Sequence, residues 1–293
     1  MMRLIRTMRA FGTACLVAGM LAVSAGAASA QEAATVDPNQ GALTISGGYD
    51  FLNQYMFRGI RQHGTGVAMW PWADLGIEAF SGDGGLQSVG INFGTWNSLH
   101  TGDTGADSGK MWYESDFYAS VGLGFGGGVS LGTTYTAYTS PNSTFTTVKE
   151  IMFKVAVDDS AYLGAGALSP YVAVALEIDA APGVGQADGG LEGGKYLELG
   201  VGPGVPAGAA SLAFPVKVGL SLGDYYELDG TDNKFGFFSV GAMATVPLGP
   251  ATNYGEWNLH GGVEFQKLGD TTAFYNGGDD SQVIGSIGIG FSY

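Results

Sequence analysis

Ten carboxylates and three bases fall on one parity of a chain that alternates in hydropathy: Asp50, Asp74, Glu78, Glu114, Asp116, Glu150, Glu177, Glu198, Glu256 and Glu264 against Arg58, Lys154 and Lys217. Set along a narrow aqueous path, such an excess of carboxylates concentrates cations and repels anions, so these residues form a candidate selectivity lining. The alternative is that the acids pair with the few bases and fill the interior. Trp70, Trp72, Trp96 and Trp112 share the same parity in three consecutive segments. Rings flanked by carboxylates form a candidate solute track, holding sugars by stacking or organic cations by cation–π attraction; rings packed beneath loops as an ordinary core are the competing reading.

Nucleophilic chemistry has one candidate. Ser98 and His100 stand two apart, with Asn97 adjacent, but no nucleophile-elbow pattern surrounds them, so a lipid hydrolase is the least favoured reading and the chain is expected not to be an enzyme. His63, His100 and His260 are the only histidines, and their spacing offers no transition-metal site. Asp229 to Asn233 and Asp279-Asp280 lack the ligand spacing of a calcium loop and read as solvated turns. Gly122-x-Gly124-x-x-Gly127 matches a dinucleotide fingerprint literally but runs into Gly128-Val129-Ser130, another strand-like stretch, and reads as a glycine hairpin. No cofactor is implied.

The elements that would position these residues are strands. Of 293 residues, 51 are Gly, 12% are aromatic and only 13% charged, against about 25% charged in an ordinary soluble domain. Twelve segments of period two, bounded by Gly, Asp, Asn and Pro, run approximately over 43–57, 67–80, 86–97, 110–125, 128–139, 145–157, 170–178, 195–202, 212–222, 234–246, 255–267 and 282–293. In the last, Val283, Ile287, Ile289, Phe291 and Tyr293 oppose Gln282, Ser286 and Ser292. The expected fold is all-β: a transmembrane antiparallel up-and-down β-barrel of about 12 strands, closed because an open sheet edge in hydrocarbon leaves a row of backbone groups unpaired. Connections mostly alternate short and long, as such a barrel requires; 158–169 is a long exception that reads as a short helix or a misplaced strand. Tyr55, Phe57, Tyr113, Phe235 and Trp257 near strand ends suit an interfacial girdle.

Residues 1–30 read as a cleaved secretory signal peptide, with Arg3, Arg6 and Arg9 before an apolar stretch and Ala28-Ser29-Ala30 as the cleavage site. Residues 31–42 then form a short periplasmic segment and 43–293 the barrel. Without the leader, nine Lys and Arg face 27 Asp and Glu, which excludes a basic nucleic-acid footprint. The only cysteine, Cys15, leaves with the leader. The location expected is the outer membrane of a Gram-negative bacterium, with outer-membrane lipid, the outer-membrane assembly machinery and small solutes or cations as partners.

Two resemblances sharpen this. The ending Ser286-Ile287-Gly288-Ile289-Gly290-Phe291-Ser292-Tyr293 resembles the carboxy-terminal signal read by that assembly machinery, with Gly288, Phe291 and Tyr293 at the signal positions. The run Gly48 to Gln62, with Phe57-Arg58-Gly59-Ile60-Arg61-Gln62 at its end, resembles the opening strand of the TorF-like porin family, although Arg61 stands where that family often has Ser. The resemblance implies a passive outer-membrane porin-like channel for small solutes. The rival is a plugged structural or surface-interaction barrel.

Overall fold

The computed structural model describes residues 41–105, 109–178 and 193–293. The expected signal peptide and most of the segment after it lie outside the described residues, as does most of the connection 179–194.

Twelve strands close into one antiparallel barrel: β1 (Leu43–Leu52), β2 (Ala68–Ser81), β3 (Leu86–His100), β4 (Trp112–Phe125), β5 (Val129–Thr139), β6 (Val148–Val157), β7 (Tyr171–Glu177), β8 (Lys195–Val201, resuming at Gly204–Ala207), β9 (Ala210–Ala213, resuming at Val216–Gly223), β10 (Phe235–Pro247), β11 (Glu256–Leu268) and β12 (Ser281–Ser292). Each pairs with its sequence neighbours, and β1 pairs with β12 in the register Tyr49↔Ile289, so the wall has no free edge. The seam is completed by Tyr293, which exchanges two backbone hydrogen bonds with Ile45 (2.7 and 2.8 Å). The breaks in β8 and β9 fall at Pro203 and Pro215, residues with no N–H to give to the ladder.

Alternation decides the two faces. In β4 Phe117 is 58% exposed and its neighbour Asp116 3%; in β11 Val263 is 55% exposed and Glu264 3%. An apolar outer face around a polar, glycine-rich inner one is the arrangement of a barrel that crosses a membrane with strands. Short connections join strands at the end bearing the termini, including the turn Gly126–Gly128, whose Gly127 and Gly128 have positive φ; the GxGxxG run therefore opens no α-helix. The long exception is a helical turn, α1 (Ser160–Leu163). Asp159 organises it, accepting hydrogen bonds from the backbone N–H of Ser169 and Leu168, which hold its carboxyl below the ordinary carboxylate range.

Two sequence expectations fail here. The first segment does not run to residue 57: β1 stops at Leu52, where Asn53 and Gln54 turn aside to bond the backbone of β12 at Val283 and Gly285. Tyr55 and Phe57, expected in an interfacial girdle, are 1% and 5% exposed inside the barrel. Tyr113 is likewise buried, because the β3–β4 register slips between Ser98↔Glu114 and Leu99↔Trp112 and the extra residue turns inward. Phe235 and Trp257 do face outward.

Candidate functional site

After β1 the chain folds into the lumen as a hairpin, Tyr55–Phe57 against Ile60–His63. Its two-residue turn is Arg58-Gly59, with φ of 46° and 84°. Positive φ at both positions is the signature of a type I′ turn, whose twist suits a tight hairpin. The turn reaches from β1 to β6 and β8, on the opposite side of a twelve-stranded wall. There the Arg58 guanidinium grips Glu150 of β6 with both nitrogens, Nη1–Oε2 at 2.6 Å and Nη2–Oε1 at 2.9 Å, and Nη1 also donates to Tyr225 Oη at 2.8 Å. Its Cζ lies 4.2 Å from the Tyr196 ring centroid. Tyr138 donates to the same carboxylate, and Tyr226 Oη donates to the Arg58 carbonyl. A bidentate pair with side chains only 3% and 1% exposed is stable because both Nη groups and both carboxylate oxygens find partners.

The long loops lock over this turn. The connection after β11 carries α2 (Asp270–Tyr275). Asn276, just beyond it, donates to the Gly59 carbonyl and accepts from the Arg61 backbone N–H, both at 2.7 Å. Thr271 reaches the Tyr226 carbonyl and Thr272 that of Gly236. On the near side Tyr55 packs against Trp70 and Trp96 (centroids 5.2 and 5.5 Å), and Tyr113 donates to Gln62. The hairpin thus touches β2, β3, β4, β6, β8, β10 and the last loop, filling the long-loop end of the lumen.

The sequence-selected residues distribute around it. Asp74, Glu114, Asp116, Glu150, Glu177 and Glu264 are buried inside, as is Arg58. Asp50 Oδ1 accepts the His260 Nε2–H at 2.6 Å, and Gly288 leaves room for this pair, since a Cβ there would lie 2.2 Å from Asp50 Oδ1. Glu177 accepts the Gly194 N–H. Glu198 accepts from Tyr171 and Tyr196, both at 2.7 Å. Lys154 stands 4.2 Å over the Tyr171 ring, and Lys217 lies 3.9 Å from Glu264. Glu78 and Glu256 are exposed near the end bearing the termini and do not join these groups. That half of the lumen is lined by small residues: at Gly90 and Gly122, both on the inner parity, an added Cβ would meet nothing within 4 Å.

The tryptophans divide. Trp70 and Trp96 are buried against the hairpin and Trp72 is half-buried beside them. Trp112 is 50% exposed, on the outer side of the Tyr113 bulge, where its indole N–H donates to Asn97; the same slip that turned Tyr113 inward removes it from the row. The rings of Trp70 and Trp96 pack against Tyr55 of the hairpin. Ser98 and His100 do hydrogen-bond at 2.8 Å, but both are fully buried, with Trp70 donating to Ser98 and His100 stacked between His63 and Tyr113.

Phe291 packs on Trp257 at 4.9 Å. Tyr225, Tyr226, Thr272 and Asn276 hold the hairpin without having been singled out by sequence; the signal that could have found the hairpin itself is the two-residue Arg-Gly turn between alternating stretches.

No protein-family model and no curated protein matches the chain. Among solved structures it is similar to an outer membrane channel from Pseudomonas putida F1 (12% identity, covering 89% of this chain and 100% of that one, TM-score 0.48). It is also similar to the outer membrane phospholipase of Salmonella typhi, a dimer with bound calcium (11%, 84% and 90%, 0.43), and to the translocator domain of the autotransporter NalP from Neisseria meningitidis (15%, 87% and 90%, 0.38).

Proposed function

We propose that the chain is a porin-like channel of the outer membrane, passing small solutes with a preference for cations, and that the hairpin 55–63 occupies its long-loop mouth in the state described. The observation that carries this reading is an interior in which Asp50, Asp74, Glu114, Asp116, Glu150, Glu177, Glu198 and Glu264 outnumber Arg58, Lys154 and Lys217, within a wall whose outer face is apolar. Carboxylates in a confined water path enrich cations over anions. In a planar bilayer with a potassium chloride gradient, the reversal potential is expected to shift toward the potassium equilibrium potential, and Lys154→Glu to shift it further. A shift toward the chloride potential refutes the preference.

A second reading, a closed barrel that presents its loops to a partner, is favoured by the hairpin itself, which crosses the lumen and is held from several sides. Absence of current both from the native chain and from one whose hairpin has been released would favour it over the channel.

The reading also includes delivery by the outer-membrane assembly machinery through Gly288, Phe291 and Tyr293. Replacing Phe291 and Tyr293 together by Ala is expected to lower the folded protein in the outer membrane several-fold while leaving refolding into detergent micelles nearly unchanged. Equal losses in both settings would mean that the two rings serve the seam and the Trp257 contact alone.

A further inference from the structure

Glu114 and Asp116 lie side by side in sequence parity on β4, each 3% exposed, and among the described residues neither has a basic side chain within ion-pair distance. The nearby cation, Arg58, is committed to Glu150. Glu114 and Asp116 hydrogen-bond to each other, an arrangement that needs a proton on one of them, and a cation that reaches Glu114 can take that proton's place. A route exists. Glu114 borders a cavity of about 70 Å³ whose other walls are Tyr55, Phe57, Gln62, Tyr113, Phe145 and Val148. Gln62 and Phe145 are only half-buried and form its rim.

Three features of the lining point to one ligand class. Four of the seven residues present aromatic rings, whose faces attract cations. The Tyr55 hydroxyl, in a side chain 1% exposed, lies against Glu114 and donates toward its carboxyl, fixing that group at the cavity wall. The fixed polar group at Gln62 already has its carbonyl oxygen occupied by Tyr113 at 2.7 Å, leaving Glu114 as the charged anchor. A hydrated inorganic cation would lose its water shell against rings that replace it poorly, whereas an alkylammonium exposes weakly hydrated methyl groups to the rings and turns its charge toward the carboxylate. A space of this size holds a few waters or one small organic cation.

We propose that the cavity between the inward hairpin and the start of β4 and β6 is a binding site for a small organic ammonium ion, with Glu114 as its anion and Tyr55, Phe57, Tyr113 and Phe145 as its cage. The site does not depend on whether the barrel conducts, because binding is measured on the isolated protein.

The test is calorimetric titration of the full barrel in detergent with methylammonium chloride, potassium chloride replacing it to hold ionic strength constant. Saturable binding is expected, weakened at least tenfold in Glu114→Gln and several-fold in Phe145→Leu, a rim substitution that leaves the buried carboxyls in place. No saturable binding in the folded native barrel overturns the proposal, as does unchanged affinity in Phe145→Leu. Should Glu114→Gln fail to fold, the Phe145→Leu result decides. Competition by potassium as effective as by tetramethylammonium would also overturn it, since the cage would then contribute nothing.

Discussion

Arg58→Ala should unseat the hairpin and, on the channel reading, turn a barrel of low or intermittent conductance into one with sustained current. The substitution strips Glu150 of its bidentate partner while Glu150 remains 1% exposed. Truncating one member of a buried pair costs about 3–5 kcal/mol, because a charge is left without compensation. It also removes the cation from above Tyr196 and the donor from Tyr225. What opposes release is the Asn276 clasp and the packing of Tyr55 and Phe57; a few hydrogen bonds at about 1 kcal/mol each are of the same order as the loss. The wall itself is not at stake, since Arg58 belongs to no barrel strand. Heat-modifiable migration of the barrel should therefore be kept while residues 55–63 become cleavable by protease added at the long-loop face. Adding Glu150→Gln to Arg58→Ala removes the orphaned charge, and the double variant should recover part of the native protection. Protection and conductance unchanged in Arg58→Ala would show that the ion pair does not hold the hairpin in place.

The reason this feature was hidden in the sequence is instructive about barrels. Twelve alternating segments were legible because lipid and water enforce a period of two over long stretches, and the twelve strands fall where that period appears. The inner parity was legible for the same reason, which is why Asp116 and Glu264 could be assigned to the interior. Between Leu43 and Phe57 the alternation resumes after Asn53 with Tyr55 and Phe57 on the same parity, so strand and inward hairpin give one pattern; only Asn53 and the Arg-Gly turn mark the break. The tertiary pairing of Arg58 with Glu150, 92 residues away, leaves no local trace. Trp112 fails differently: one extra residue at Tyr113 reverses every facing beyond it, and nothing in the run Met111 to Glu114 announces a bulge. Interior pairing was equally out of reach. A count of acids and bases gives the sign of the lining, yet Glu198 satisfied by two tyrosines, Asp50 by His260 and Glu150 by Arg58 are very different groups from Glu114 and Asp116, which among the described residues have no base within ion-pair distance.

Gly59→Val attacks the same hairpin by an unrelated route and should be at least as severe. Gly59 sits at φ 84°, a region that β-branched residues enter only at a cost of about 1–3 kcal/mol. A Cβ there would also stand 3.1 Å from Phe237 and 3.2 Å from Thr272 Cγ2, so Phe237, itself 1% exposed, would have to give way, and the Asn276 bond to the Gly59 carbonyl would shift with the backbone. Gly59→Asn separates the two contributions. Asparagine tolerates the left-handed region far better than valine, so if backbone strain dominates, Asn should retain most of the native protease protection; if the contact with Phe237 and Thr272 dominates, Asn should be as damaging as Val. The close approach on two sides favours the second outcome. Combining Gly59→Val with Arg58→Ala should add little to either alone, because a hairpin already out of the lumen has no ion pair left to lose. Full additivity of the two in protease exposure would mean that the turn and the Arg58–Glu150 grip hold different parts of the chain, and the hairpin would no longer be a single unit that seats or leaves as a whole.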